Sequence, residues 1–239
     1  MPFSSLHYFP LAWPFLLALF FLFTVVVTLV ELDILKYAFE RIGIPPRFIL
    51  AILLLTLLGS AINIPLAEFP RERVVSREMV DFFGMRYMVP VVHEWPGTVL
   101  AINVGGALIP ILLSLYLALK NRLLWTGLLA VAVVAAVTHE LSHPVRGVGI
   151  TVPLFLPPVI AALVALVLAW RRAAPLAYIA GSIGTLVGAD LLNLDKVRGL
   201  GAPVASIGGA GTFDGVFLVG IVAVLLASLV QPRRAAGRA

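Results

Sequence analysis

Seven stretches of the chain are each close to the length that crosses a bilayer as a helix, roughly 20 apolar residues. They fall at about 10–30, 48–67, 98–119, 123–141, 154–170, 174–194 and 210–230, and they leave little sequence over for anything else. Apolar residues make up 61% of the 239 residues and charged ones 12%, against about half and a quarter in soluble domains. With a mean hydropathy of +1.07, the chain has no soluble core to which so much hydrocarbon can be assigned. The expected fold is an all-α, polytopic membrane helix bundle of about seven spans, one integral domain over residues 1–239. The first stretch has no basic run before it and no small-residue cleavage site before ELDILKYAFERIGIPPR, so it reads as a retained helix rather than a signal peptide.

The connections are short except at 68–97, where β-branched and aromatic residues flank Gly84 between Pro70 and Pro96. That pattern predicts a small extramembrane hairpin. Cysteine is absent, which excludes disulfides, thiolate metal sites and cysteine nucleophiles. The sequence pI of about 10.0 comes from Lys and Arg at segment ends, a headgroup pattern rather than a nucleic-acid stripe. On alternate connections, Lys36, Arg41, Arg47, Lys120, Arg122, Arg171, Arg172, Arg233, Arg234 and Arg238 face Arg71, Arg73, Arg77, Arg86, Arg146, Lys196 and Arg198. Ten against seven predicts a cell-membrane protein with its N-terminus out and its C-terminus in. The lipid bilayer is the one partner this composition implies, and no nucleic-acid motif appears.

Two acids interrupt the apolar sequence, Asp190 in GTLVGADLLNL and Asp214 in GGAGTFDGVFLVGIVAVLLA. An ionisable group inside a span marks a functional site by default. Each aspartate lies about four residues inside its expected span, roughly 6 Å deep at the helical rise, so adjacent antiparallel helices bring both to one level. Two close carboxylates in low dielectric share a proton, and one acts as acid while the other acts as base. Gly184 and Gly188 make a small-residue face before Asp190, while Gly209 and Gly211 lie just ahead of Asp214. The plainer alternative is that each aspartate caps a helix or bonds a neighbouring amide. Asn63 and Asn103 fall at the same membrane level as the acids, as does His139, so five segments deliver polar groups to one leaflet. As cavity-lining residues the sequence offers Asn63, Asn103, Gly184, Gly188, Gly209 and Gly211; packing between helices is the ordinary use of a membrane asparagine.

The segment VTHELSHPV matches the H-E-x-x-H pattern, in which His139 and His143 grip zinc from one helix face and Glu140 activates its water. Pro144 disfavours helical geometry at His143, which favours an interfacial cluster ending the span. No cofactor is otherwise implied. GVGITVPLFLPP, with three prolines, reads as a turn or a re-entrant segment. NVGGAL at 103–108 echoes IGGAGT at 207–212, too faintly for a repeat.

NVGGALIP, PVRGVGITVP, GTLVGADLLNL and SIGGAGTFDGVFLVGI together resemble an archaeal and bacterial multi-pass membrane family, domain-of-unknown-function family 1614, over roughly residues 50–230. The resemblance implies a membrane fold and no activity. More loosely, the aspartates are similar to those of presenilin-type and prepilin-type aspartyl membrane peptidases. Gly209-Ala-Gly211-Thr-Phe-Asp214 carries two residues more than their Gly-x-Gly-Asp turn. Site-two-type metalloproteases offer another likeness, through HELSH and Phe213-Asp214-Gly215. The functional expectation is an intramembrane, peptidase-like hydrolase using Asp190 and Asp214. The alternatives are an ion- or proton-coupled transporter or channel, a metal-dependent protease through HELSH, and a structural membrane subunit.

Overall fold

The structure, a computed structural model, describes residues 13–69, 72–82, 85–95, 97–145, 149–197, 204–209 and 215–231. The helices are α1 (Trp13–Arg41), α2 (Pro46–Ser60), α3 (Ile109–Lys120), α4 (Leu124–Leu141), α5 (Leu156–Leu168), α6 (Ala173–Thr185) and α7 (Gly215–Val230). The strands are β1 (Asn63–Glu68), β2 (Glu72–Phe82), β3 (Met85–Trp95), β4 (Val99–Asn103), β5 (His143–Val145), β6 (Gly149–Thr151) and β7 (Val204–Ile207). A π-helical turn, Val104–Leu108, joins β4 to α3, and another, Leu186–Asp190, extends α6 into the 3-10 segment Leu191–Val197.

Two helical runs among the described residues, Leu124–Leu141 and Trp170–Val197, are long and apolar enough to cross a membrane. Phe20–Arg41 and Pro46–Ser60, bent by 115°, make a third if they form one broken span, and Val104–Lys120, Leu156–Leu168 and Gly215–Val230 are shorter apolar helices. Each of the seven expected segments thus contains a helix, but among the described residues the helices do not amount to seven full-length spans. The molecule is mostly helical and fits a membrane protein, with Phe20, Phe21, Leu57, Leu58, Trp125 and Leu128 among the large apolar side chains turned outward.

An all-α fold was expected, and the strands correct it. The segment at 48–67 leaves the helix at Ser60, because Pro65 cannot donate in a helix and biases Ile64 toward extended backbone. The segment at 98–119 starts as β4, whose β-branched Val99 and Ile102 suit a strand. Extended backbone inside apolar surroundings needs its hydrogen bonds met. β4 meets them on both edges, lying between β1, to which it is antiparallel, and β7, to which it is parallel. The 68–97 connection holds the β2–β3 hairpin, paired from Glu72↔Trp95 to Phe82↔Met85. The described part of GVGITVPLFLPP gives β6, which pairs with β5, and then the start of α5.

The core centres on α6, where every residue except Ile183 is buried. Its small residues allow close approach. A Cβ on Gly181 would press on the Val219 carbonyl and Gly220, and one on Gly184 would lie 2.7 Å from Val134. The bend after α1 is a Schellman ending: Gly43, at φ +89°, lets Ile44 N donate to Phe39 O and Gly43 N to Glu40 O, and Pro45-Pro46 then opens α2. Basic side chains bind this end of the bundle. Arg41 donates to Ser228 Oγ (3.1 Å) and Gln231 O (3.3 Å), Lys120 to Gly43 O (2.7 Å), and Arg172 to Asn121 O.

Candidate functional site

At the sheet end of the bundle, the register sets Asn63 directly opposite Asn103. Asn103 is fully buried and its carboxamide bonds in three directions. Its Oδ1 accepts from Gly106 N at 2.7 Å, which caps the π-helical turn leading to α3. Its Nδ2 donates to Ser60 O at 2.8 Å, one of the orphan carbonyls that end α2, and to Asn63 Oδ1 at 3.1 Å. One side chain therefore closes one helix and opens the next. Ser206 Oγ, from β7, donates to the same Asn63 Oδ1 at 2.6 Å, so the polar chain runs across all three strands.

β4 and β7 run side by side in the same direction, with Ile102 opposite Ile207 and Ala101 opposite Ser206. Each then enters a Gly-Gly pair, Gly105-Gly106 after β4 and Gly208-Gly209 after β7. The faint sequence echo is thus a spatial pairing of two strand-to-glycine segments. The glycines are needed there. Gly208 and Gly209 have φ of +92° and +102°, which side chains disfavour, and a Cβ on Gly208 would fall 2.6 Å from Gly106 C. A Cβ on Gly105 would collide with the Thr56 carbonyl and the Ser60 amide of α2.

Asp190 is the last residue of the second π-helical turn. Its Oδ2 accepts from Gly208 N at 2.7 Å, so the carboxylate meets the chain where β7 turns. π-helical turns inside helices often sit at functional sites, since the wider turn re-aims the side chains around it. Among the described residues there are two such turns, one following Asn103 and the other ending on Asp190.

Asn63, Asn103, Asp190 and Gly209 are therefore brought into one region. Asp214 and Gly211 lie outside the described residues. Gly184 and Gly188 sit in the seam between α6 with its π-helical extension and α4, Gly184 against Val134 and Gly188 against Ala135 and Thr138. His139 and Glu140 lie in the last turn of α4, while His143 stands beyond the helix in β5 and is exposed. The helical i, i+4 pairing expected of HELSH is absent, for the reason Pro144 supplies. Among the described residues no three His, Asp or Glu side chains group closely enough to hold a metal ion. Sequence reasoning missed Ser60 and Ser206, because their roles depend on strand pairing, of which the repeated Gly-Gly was a trace; Gly208 was legible as one of the glycines ahead of Asp214 whose backbone amides can hold an anion.

A family model described as protein of unknown function (DUF1614) matches residues 57–226, and the chain belongs to that family. None of the curated proteins matches the chain, and none of the solved structures does.

Proposed function

We propose that this member of the family is a membrane transport protein for a small ion, with Asp190 as the group that takes up and releases a proton or cation. The observation that carries the reading is the pair of parallel segments, β4 and β7, that stop at Gly-Gly inside the apolar bundle, with the Asp190 carboxylate on the amide of Gly208. Interrupted backbone at membrane depth is tolerated where it lines a cavity or a path. Glycine lets such backbone approach an ion closely, and a protonatable carboxylate beside it can couple binding to charge movement. The bilayer is the partner, with the N-terminus outward.

The test is reconstitution into liposomes with an imposed pH or salt gradient, read by a trapped pH dye and by charge displacement on a supported membrane. Flux is expected from the parent protein and should fall to the background of empty liposomes in Asp190→Asn, which keeps an oxygen to accept from Gly208. Equal flux in parent and variant would sink the reading.

One observation favours hydrolysis as a second reading. The Asp190–Gly208 bond ties Asp190 to a point six residues before Asp214 in the sequence, and the two carboxylates would work as acid and base. Cleavage of a fluorogenic transmembrane peptide in micelles should then be lost equally in Asp190→Asn and Asp214→Asn. Cleavage that survives Asp214→Asn excludes the pair.

A further inference from the structure

Among the described residues, the longest open strand edge is the outer edge of β2, eleven residues whose only partner strand is β3. The two strands pack chiefly on each other rather than on the helices, and a hairpin standing alone is marginally stable. Other edges are blunted by proline. The β2–β3 ladder passes through Arg77↔Pro90 without a shift. Proline has no amide hydrogen, so the Pro90 nitrogen faces away from β2 and leaves a gap in the outer edge of β3. Pro65 in β1, beside a register shift, and Pro144 in β5 interrupt those strands in the same way. β2 contains no proline. Counting by alternation from Arg77, the backbone groups of Arg73, Val75, Arg77, Met79 and Asp81 face outward along its whole edge.

A strand can close a dimer by pairing antiparallel with its own copy about a two-fold axis, provided its sequence is complementary to itself. β2 is, in the register centred on Met79. Arg77 then falls opposite Asp81 of the second copy, and Asp81 opposite its Arg77. Centring on Glu78 or on Arg77 instead sets a like charge directly against itself. In the Met79 register each copy also brings two methionines to one face, because Met79 lies opposite Met88 within the hairpin. Both are exposed, 66% and 67%, and methionine packs readily against its like. Charges of both signs at Arg77, Glu78, Asp81 and Arg86 make a lipid surface a poor occupant of this ribbon. The Pro90 gap then stops a further strand from adding, so the assembly closes at two copies.

We infer that the outer edge of β2 is a dimerisation surface whose partner is β2 of a second copy of this chain, joined antiparallel about Met79 into a four-stranded sheet. The pairing is independent of what the bundle transports or cleaves.

With no native cysteine, Met79→Cys and Met88→Cys can be compared in the full chain in detergent micelles, oxidised with copper phenanthroline and resolved on non-reducing gels. The two positions are equally exposed. In the proposed sheet, residue 79 lies about 5.5 Å from its copy, Cα to Cα, whereas residue 88 lies three strand spacings, about 14 Å, from its own. Only the first is within disulfide reach, so Met79→Cys should give about tenfold more covalent dimer, or better, than Met88→Cys. Light scattering supplies the second measurement. The parent should be a dimer, while Arg77→Asp and Asp81→Arg should each be monomers that form a dimer when mixed, since one then presents two aspartates and the other two arginines. Equal cross-linking at the two positions, a monomeric parent, or dimers that persist in each charge variant alone would overturn the pairing. If Asp81→Arg fails to fold, because Arg86 lies opposite it in the hairpin, the two cysteine variants and Arg77→Asp still decide.

Discussion

Asn103 is the most heavily committed side chain in the region, since it caps one helix, opens another and bonds Asn63 across the strands. Truncation leaves the Gly106 amide and the Ser60 carbonyl unmet in a buried place. Asn103→Ala should therefore cost about 2–3 kcal/mol, seen as a lower unfolding temperature in micelles. Asn63→Ala should cost less, because Asn63 is exposed and Asn103 Nδ2 keeps its bond to Ser60 O. At Gly208 the backbone itself sets the cost. Gly208→Ala forces a side chain to φ +92° and into Gly106, so about 2 kcal/mol or more should be lost by the same measurement. The sequence made Asn103 and Asp190 stand out because polar groups are rare in apolar runs. It could not reveal that Asn103 serves as a cap rather than as a bond between helices, since that depends on where α2 stops.

At the scale of elements, the apolar runs locate the helices well: α4 and α5 fall within three residues of the expected segments at 123–141 and 154–170. The hairpin at 68–97 was legible from its β-branched alternation. β1, β4 and β7 were not, because a short apolar run reads alike as buried strand or buried helix. Proline at 65 and the repeated Gly-Gly were the local signs. The close seat of α2 on the first π-helical turn depends on Gly105, where a Cβ meets backbone that cannot yield. Gly105→Ala should cost about 1–3 kcal/mol, whereas Gly215→Ala, with nothing within 4 Å, should be neutral or slightly stabilising. Thermal unfolding of the two variants side by side checks this; equal effects would mean that α2 is not seated there.

At the scale of the whole molecule, the two ends differ in kind. One is laced by Arg41, Lys120 and Arg172 to helix ends, and the other carries the strands and hairpins. With no native cysteine, single replacements report without background. An impermeant thiol reagent should label exposed Met79→Cys from outside intact cells, and exposed Arg122→Cys only after the membrane is opened. Labelling of both from one side would refute a chain crossing between them. The parallel pairing of β4 with β7 also bears on how the protein is made. Val99 finds its partner Val204 only after about a hundred more residues have been synthesised, so one edge of β4 stays open for several seconds at ordinary elongation rates. During biogenesis this unfinished ribbon is the part that a chaperone or insertase must shelter, and a ribosome stalled before residue 204 leaves a half-built sheet for quality control to remove.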